Sequence, residues 1–259
     1  MKRLIFALLY EDGQFIQSRN FNRQRVGTID WLLNNYDFLQ VSRSLDEIML
    51  VDISKNADSR SGFLDAVRNI ASRCFIPITV GGKITEMDDA RTFYACGADK
   101  VFINHLLTTD ADEVRRMINH YGSQAIVAGV NYREKDGQIV YADSAGTINA
   151  DVVLERHLAS LEQLGVGEVV LQGIHRDGTG FGIDQSILEH IPENFTLPLI
   201  LMGGIGNSQH MMTILSDDRT DAIVTANLLN FIGDAFQRAR QDIIENGFPI
   251  PEFNLGIEL

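Results

Sequence analysis

Cysteine is nearly absent from this chain: Cys74 and Cys96 are the only two, and neither belongs to a CxxC pair or a His/Cys cluster. That pattern excludes a disulfide framework and leaves both as small buried hydrophobes. Positive charge is scarce too, with 22 Lys and Arg against 35 Asp and Glu and a net charge of -13. So acidic a surface repels polyanions, and neither nucleic acid nor an anionic membrane is expected as a bulk partner. A locally positive pocket can still take an anionic substrate. No run approaches the roughly 18 apolar residues of a membrane span. The opening MKRLIFALLYEDG stops at Glu11-Asp12-Gly13 without a small-residue cleavage site, so it reads as a first strand rather than a signal peptide. A cytoplasmic protein is expected. Six histidines occur, with no HxH or HExxH spacing, and no metal site or cofactor is expected.

What the chain does have is alternation. Eight short apolar runs, Leu4–Tyr10, Ile48–Ile53, Ile76–Val80, Lys100–Ile103, Ala125–Val130, Glu168–Leu171, Leu199–Met202 and Ala222–Thr225, are separated by other segments. Several of these are amphipathic: Ser61–Arg73, Asp110–Tyr121, Asp151–Leu164 and Phe231–Glu245. Eight strand–helix units without a linker predict a single α/β domain over residues 1–259, a parallel (β/α)8 TIM barrel, with a doubly wound open sheet as the alternative. An internal echo favours the barrel. Asp12-Gly13-Gln14 recurs as Asp136-Gly137-Gln138, Val80-Gly81-Gly82-Lys83-Ile84 as Met202-Gly203-Gly204-Ile205-Gly206, and Asp99…His105-Leu106-Leu107 as Asp221…Asn227-Leu228-Leu229. The offsets, 124, 122 and 122 residues, are close to half the chain and imply half-barrels of about 1–123 and 124–259.

The repeated glycine pairs carry chemistry. Gly81-Gly82 and Gly203-Gly204 each end a strand and precede a helix start, near Thr85-Glu86 and Asn207-Ser208. Glycine lets backbone N–H groups approach an anion, and a helix N-terminus adds partial positive charge. Two symmetric copies at the C-terminal face predict two phosphate sites, completed by Asn104 in one half and Ala226-Asn227 in the other.

By these features the chain resembles the cyclase subunit of imidazole glycerol phosphate synthase over nearly its whole length. The residues that carry the resemblance include Glu11-Asp12-Gly13, Phe75-Ile76-Pro77, Gly97-Ala98-Asp99-Lys100-Val101, Ile103-Asn104, Tyr121-Gly122-Ser123-Gln124, Arg176-Asp177-Gly178-Thr179 and Gly203-Gly204. The resemblance implies a two-phosphate ligand and a glutaminase partner on the N-terminal face of the barrel. Ammonia from that partner would pass through the core to the top.

The departures are as informative. The family's cyclase chemistry uses one aspartate on strand 1 and one on strand 5; the matching positions here are Leu9 and Asn131. Leucine transfers no proton, and an asparagine amide is no base near neutral pH. Gln17, Gln172, His175 and Lys83 also stand where the family has other residues, whereas Asp52 and Asp177 remain as candidate acid–base groups. His175 is the one histidine expected at the functional end.

At the opposite end, Arg3, Glu47, Lys100 and Glu168 start strands 1, 2, 4 and 6 and match the family's ring at the ammonia entrance. Inward charges at a barrel base are costly unless paired. Asp99, next to Lys100, is expected to face outward toward the partner. An intact entrance without the cyclase pair implies a barrel that receives and passes ammonia but does not close the usual ring. Family paralogues of this kind occur beside surface-polysaccharide genes, which implies a sugar amidotransferase as a further partner and an acetamidino sugar as product. A working cyclase with substituted groups and a non-catalytic phosphosugar-binding scaffold are the rival expectations.

Overall fold

The computed structural model describes residues 1–19, 22–149, 151–227 and 233–251. Eight parallel strands close into a barrel: β1 (Arg3–Glu11), β4 (Glu47–Asp52), β5 (Ile78–Gly81), β6 (Lys100–Ile103), β7 (Ile126–Lys135), β9 (Glu168–Gly173), β10 (Leu199–Met202) and β11 (Ala222–Thr225). The ring is sealed where β1 meets β11 in parallel, Arg3 opposite Ala222 through Phe6 opposite Thr225. The open-sheet alternative therefore does not hold.

Strand parity divides the apolar residues into two cores. Ile5 and Ala7, Met49, Val127, Val170, Ile200, Ala222 and Val224 fill the barrel interior. The alternate residues, such as Leu4, Phe6 and Leu8 of β1 and Ile48 and Leu50 of β4, pack against the outer helices. Those helices bury one stripe each. In α3 (Arg60–Ala71) it is Phe63, Ala66, Val67 and Ile70. In α7 (Leu154–Leu164) it is Leu154, Leu158, Leu161 and Leu164, the 3–4 spacing of a helix face. The remaining helices are α1 (Ile29–Asn35), α2 (Phe38–Val41), α4 (Met87–Ala95), α5 (Leu106–Thr109), α6 (Ala111–Tyr121), α8 (Ser208–Leu215) and α9 (Ala235–Glu245). The expected last helix opens at Phe231, which lies outside the described residues, as do Leu228 and Leu229 of the internal echo. After β9 the chain runs in 3-10 turns, Ile174–Arg176 and Gln185–His190, instead of an α-helix.

Two antiparallel hairpins extend above the barrel. β1 pairs with β2 (Gln14–Arg19), which pairs with β3 (Asn22–Gly27), and β7 pairs with β8 (Gln138–Ala142). Both begin at the repeated Asp-Gly: φ is 48° and 89° at Asp12-Gly13 and 53° and 78° at Asp136-Gly137. Two consecutive left-handed residues make the turn whose twist matches a hairpin, and Asp-Gly suits it. The two halves thus share a turn as well as a sequence.

The glycine-loop echo shifts by one residue in three dimensions. Gly82 (φ 102°) and Lys83 (φ 54°) adopt the left-handed pair that Gly203 (φ 123°) and Gly204 (φ 77°) adopt in the second half. The helices confirm the shift, since α4 is capped at Glu86 and α8 at Asn207, 121 residues apart. The conformational partner of Gly82-Lys83, rather than of Gly81-Gly82, is therefore Gly203-Gly204.

Candidate functional site at the two ends of the barrel

At the N-terminal end, four side chains form a closed square of ion pairs. Arg3 reaches Glu47 at 3.2 Å and Glu168 at 3.0 Å, and Lys100 reaches Glu47 at 2.8 Å and Glu168 at 3.1 Å. The charges alternate in sign around the opening, so each is compensated twice. Glu47 is the most buried, its side chain 2% exposed, and it also accepts a hydrogen bond from Thr79 Oγ1 at 2.5 Å. Strand parity places Arg3, Glu47, Lys100 and Glu168 on the inner face, below Ile5, Met49, Phe102 and Val170. Asp99 stands beside this square but outside it: exposed, with Oδ2 accepting from the Ile78 N–H at 2.8 Å. Asp221 does the same for Leu199 at 2.9 Å, the equivalent contact in the other half. Phe75, 82% exposed, lies with Asp99 along one surface hollow.

At the C-terminal end a cavity of about 350 Å³ opens above the barrel. Leu9, Met49, Val51, Phe102 and Met202 line its apolar part; Asn104, Asn131, Gln172 and Asp177 line its polar part, with Arg23 and Lys83 also present. Leu9 and Asn131 are thus brought to one cavity. Asn131 is 6% exposed, and its amide is committed on both sides. Nδ2 donates to the Asp143 carbonyl at 2.9 Å, and Oδ1 faces Asn104 Nδ2 at 3.4 Å. Asp177, 8% exposed, accepts from the Ser18 hydroxyl at 2.5 Å and borders both this cavity and a smaller one.

Two expected acid–base groups are differently placed. Asp52 belongs to the wall of the cavity, but it pairs in register with Tyr10, on the outward face of its strand. Its side chain is 0% exposed, held by the Ser54 N–H at 3.0 Å and 3.8 Å from Arg60. Tyr10 reports the same position: burial first, then the negative charge of Asp52, pushes its hydroxyl pKa up. The Asp52 carboxylate is therefore enclosed, without a surface open to a ligand. His175 lies in the 3-10 turn after β9 and borders neither cavity. Its Nδ1 accepts from the Glu134 N–H at 3.4 Å, so Nε2 carries the proton toward Asp184 at 3.3 Å. Burial pushes the Asp184 carboxyl up, but Ser186, His175 and Arg176 outweigh it and hold it below the ordinary range.

The two glycine loops divide unequally. In the second half, Gly203, Gly204, Ala226 and Asn227 converge on a small cavity of about 20 Å³, together with Gln17, Ser18 and Gly178. In the first half Gly82 and Asn104 border the large cavity, and Gly81 does not. A Cβ on Gly81 would lie 2.8 Å from Phe102 Cβ, so this glycine clears space for a side chain. Lys83 is exposed, with Nζ donating to the Asn56 carbonyl at 3.0 Å. The α4 N-terminus is answered internally, since Thr85 and Glu86 N–H donate to Asp89 and Met87 N–H to Glu113.

Ser18 and Phe102 did not emerge from the sequence. The signal for Ser18 was available: Asp12-Gly13 between two apolar runs marks a hairpin, and the returning strand carries Ser18 over the barrel mouth to Asp177. Among the described residues, no three His, Cys, Asp or Glu come together as a metal site, and no helix is long and apolar enough to cross a membrane.

Comparison with known proteins agrees with this geometry. A histidine biosynthesis protein family model matches residues 3–233. A protein of Parasynechococcus marenigrum (strain WH8102), provisionally described as imidazole glycerol phosphate synthase subunit hisF2, is 36% identical over 240 residues, 93% of this chain and 89% of that protein. Imidazole glycerol phosphate synthase subunit HisF of Chlorobium limicola is 30% identical over 250 residues, 96% and 98% of the two chains. The HisF subunit of Saccharolobus solfataricus is 31% identical over 230 residues, 88% and 90% of the two.

Proposed function

The chain belongs to the histidine biosynthesis protein family, with the cyclase subunits of imidazole glycerol phosphate synthase as its relatives, and on that premise we propose that it is an ammonia-relaying barrel of a glutamine amidotransferase complex. A glutaminase docks on the N-terminal face near Asp99 and releases ammonia from glutamine. The ammonia enters through the square of Arg3, Glu47, Lys100 and Glu168 and leaves at the top. There a sugar amidotransferase uses it to convert an acetamido sugar of a surface polysaccharide to an acetamidino sugar, in the cytoplasm. The glycine loops at Gly82 and at Gly203-Gly204, with Asn104, Ala226 and Asn227, hold a phosphorylated small molecule.

One contrast carries this reading. The entrance is fully paired by four ion contacts, while the two cyclase positions hold Leu9 and Asn131. Ring closure needs proton transfer, and each acid–base group contributes about 10²- to 10⁴-fold. A barrel missing both retains the means of taking ammonia in and lacks the means of using it in the usual way. Of the remaining carboxylates Asp52 is enclosed, and Asp177, held by the Ser18 hydroxyl, is one group where the family uses a pair.

Two measurements test the proposal. Amide-nitrogen-15 glutamine, given to the barrel with its glutaminase and amidotransferase partners, should label the amidino product. The purified barrel, given the family's bis-phosphate substrate and ammonium salt, should show no ring closure. Cyclase turnover within about tenfold of an ordinary enzyme would overturn the reading, because two lost acid–base groups cost far more than that.

A further inference from the structure

Between the square of charges and the top cavity, the interior cluster carries one aromatic ring among aliphatic neighbours. Phe102 is the next inward residue after Lys100 on β6, about 6.6 Å higher at roughly 3.3 Å per residue. Its ring packs on the interior apolar cluster and forms part of the top cavity's lining. The flanking strands present glycine to it on both sides. A Cβ on Gly81 of β5 would lie 2.7 Å from the Phe102 carbonyl oxygen and 2.9 Å from its Cδ1, and one on Gly129 of β7 would lie 2.3 Å from Cζ. Real side-chain contacts do not reach such distances, so any residue larger than glycine at either place collides with the ring. Neither glycine needs a left-handed backbone, since positive φ is absent at both. Their common property is the space they leave.

We propose that Phe102 is an internal gate that closes the barrel axis above the charged square, and that Gly81 and Gly129 are the places in the wall that let its ring lie across the axis. The inference rests on the relay reading and adds the residue that controls passage. The physics fits the cargo. Neutral ammonia crosses an apolar constriction at little cost, whereas ammonium and hydronium pay the large desolvation penalty of a bare charge. Ammonia released from glutamine crosses as the neutral molecule, and the Phe102 level turns back ammonium. The base square selects by charge, and the ring above it sets the aperture.

The test uses two substitutions with opposite effects. Gly129→Ala wedges the ring, and Phe102→Ala removes it. Nitrogen-15 incorporation is followed in the assembled complex from amide-labelled glutamine and, separately, from labelled ammonium salt. Gly129→Ala should lower the glutamine arm at least tenfold and the ammonium arm less than twofold. Phe102→Ala should shift the glutamine-to-ammonium ratio in the opposite sense, above that of the wild type. Unchanged ratios in both variants would overturn the gate. No transfer from glutamine in the wild-type complex would instead overturn the relay. A probe independent of the relay is xenon in pressurised crystals. In the wild type it should stop above Phe102, and in Phe102→Ala it should also occupy the space between that level and Lys100. Xenon below the ring in the wild type, or its exclusion there from Phe102→Ala, would refute the gate even if Gly129→Ala fails to fold.

Discussion

Replacing Lys100 with methionine isolates the electrostatics of the barrel base. Lys100 compensates two carboxylates at once, Glu47 at 2.8 Å and Glu168 at 3.1 Å. Without it the square carries Arg3 against two glutamates, a net charge of -1 in a region where the Glu47 side chain is 2% exposed. Breaking a buried pair by removing one partner costs about 3–5 kcal/mol. Lys100 and Glu168 are 16% and 14% exposed, and Arg3 still contacts both glutamates, so the loss falls below that range, at about 2–3 kcal/mol. At roughly 2–4 °C per kcal/mol for a chain of this size, Tm should fall by about 5–10 °C. The double variant Lys100→Met/Glu168→Gln restores neutrality and should cost at least about 1 kcal/mol less than the two single changes added together. Chemical denaturation of the four proteins measures both quantities. A single-variant loss below about 0.5 kcal/mol with additive singles would mean that the four charges behave as solvated surface groups, and the pairing argument would fail. In the assembled complex, Lys100→Met should also lower glutamine-dependent product formation more than ammonium-dependent formation, since free ammonia reaches the top face from solvent.

Four further outcomes are expected. Asn131→Asp should not restore cyclisation and should cost about 1–3 kcal/mol, because a carboxylate oxygen would replace the Nδ2 that donates to the Asp143 carbonyl at 2.9 Å; turnover and denaturation check the two halves. Gly82→Ala should cost at least about 3 kcal/mol, its Cβ meeting the Asp52 carbonyl at 2.2 Å, whereas Gly13→Ala, with nothing within 4 Å, should cost only about 1 kcal/mol of left-handed strain. The Asp184 carboxyl is held below its ordinary range, so its stabilising contribution is full above the unfolded value of 3.8 and is lost as pH falls through the lower folded value. Asp184→Asn should therefore lower Tm at pH 7 and by progressively less as pH approaches 3. Crystals soaked in phosphate should show an oxyanion within hydrogen-bond reach of backbone N–H groups at the Gly203-Gly204 loop and at Gly82, and loops without density at high phosphate would remove the phosphorylated ligand from the proposal.

Periodicity together with the internal echo pointed to the barrel. All eight strands were legible because each is a short apolar run, and the helix faces were legible because burial repeats every three to four residues. The four base charges were legible through the family resemblance, which implies a ring at these positions, and inward charges at a barrel base must pair. Orientation was less accessible. Asp52 and Val51 are adjacent, yet one side chain faces the helices and the other the cavity, and strand register decides which. His175 does lie at the functional end, directly after β9, but only the folded turn shows its ring engaged with Asp184. The one-residue shift between the glycine loops depends on φ, which Lys83 adopts although its side chain disfavours it.

Read alone, the sequence carries the features set by local chemistry: eight short apolar runs, the repeated Asp-Gly pair, side chains at Leu9 and Asn131 that transfer no proton, and charges at the strand starts. Only the tertiary structure decided the features that depend on neighbours distant along the chain. It brought Ser18 to Asp177, 159 residues away, and closed the square across β1, β4, β6 and β9. It also set Phe102 between two glycines of the adjoining strands. The reason is that composition constrains the side chains available, whereas an aperture, a cavity and a pair distance are properties of strand register and barrel closure.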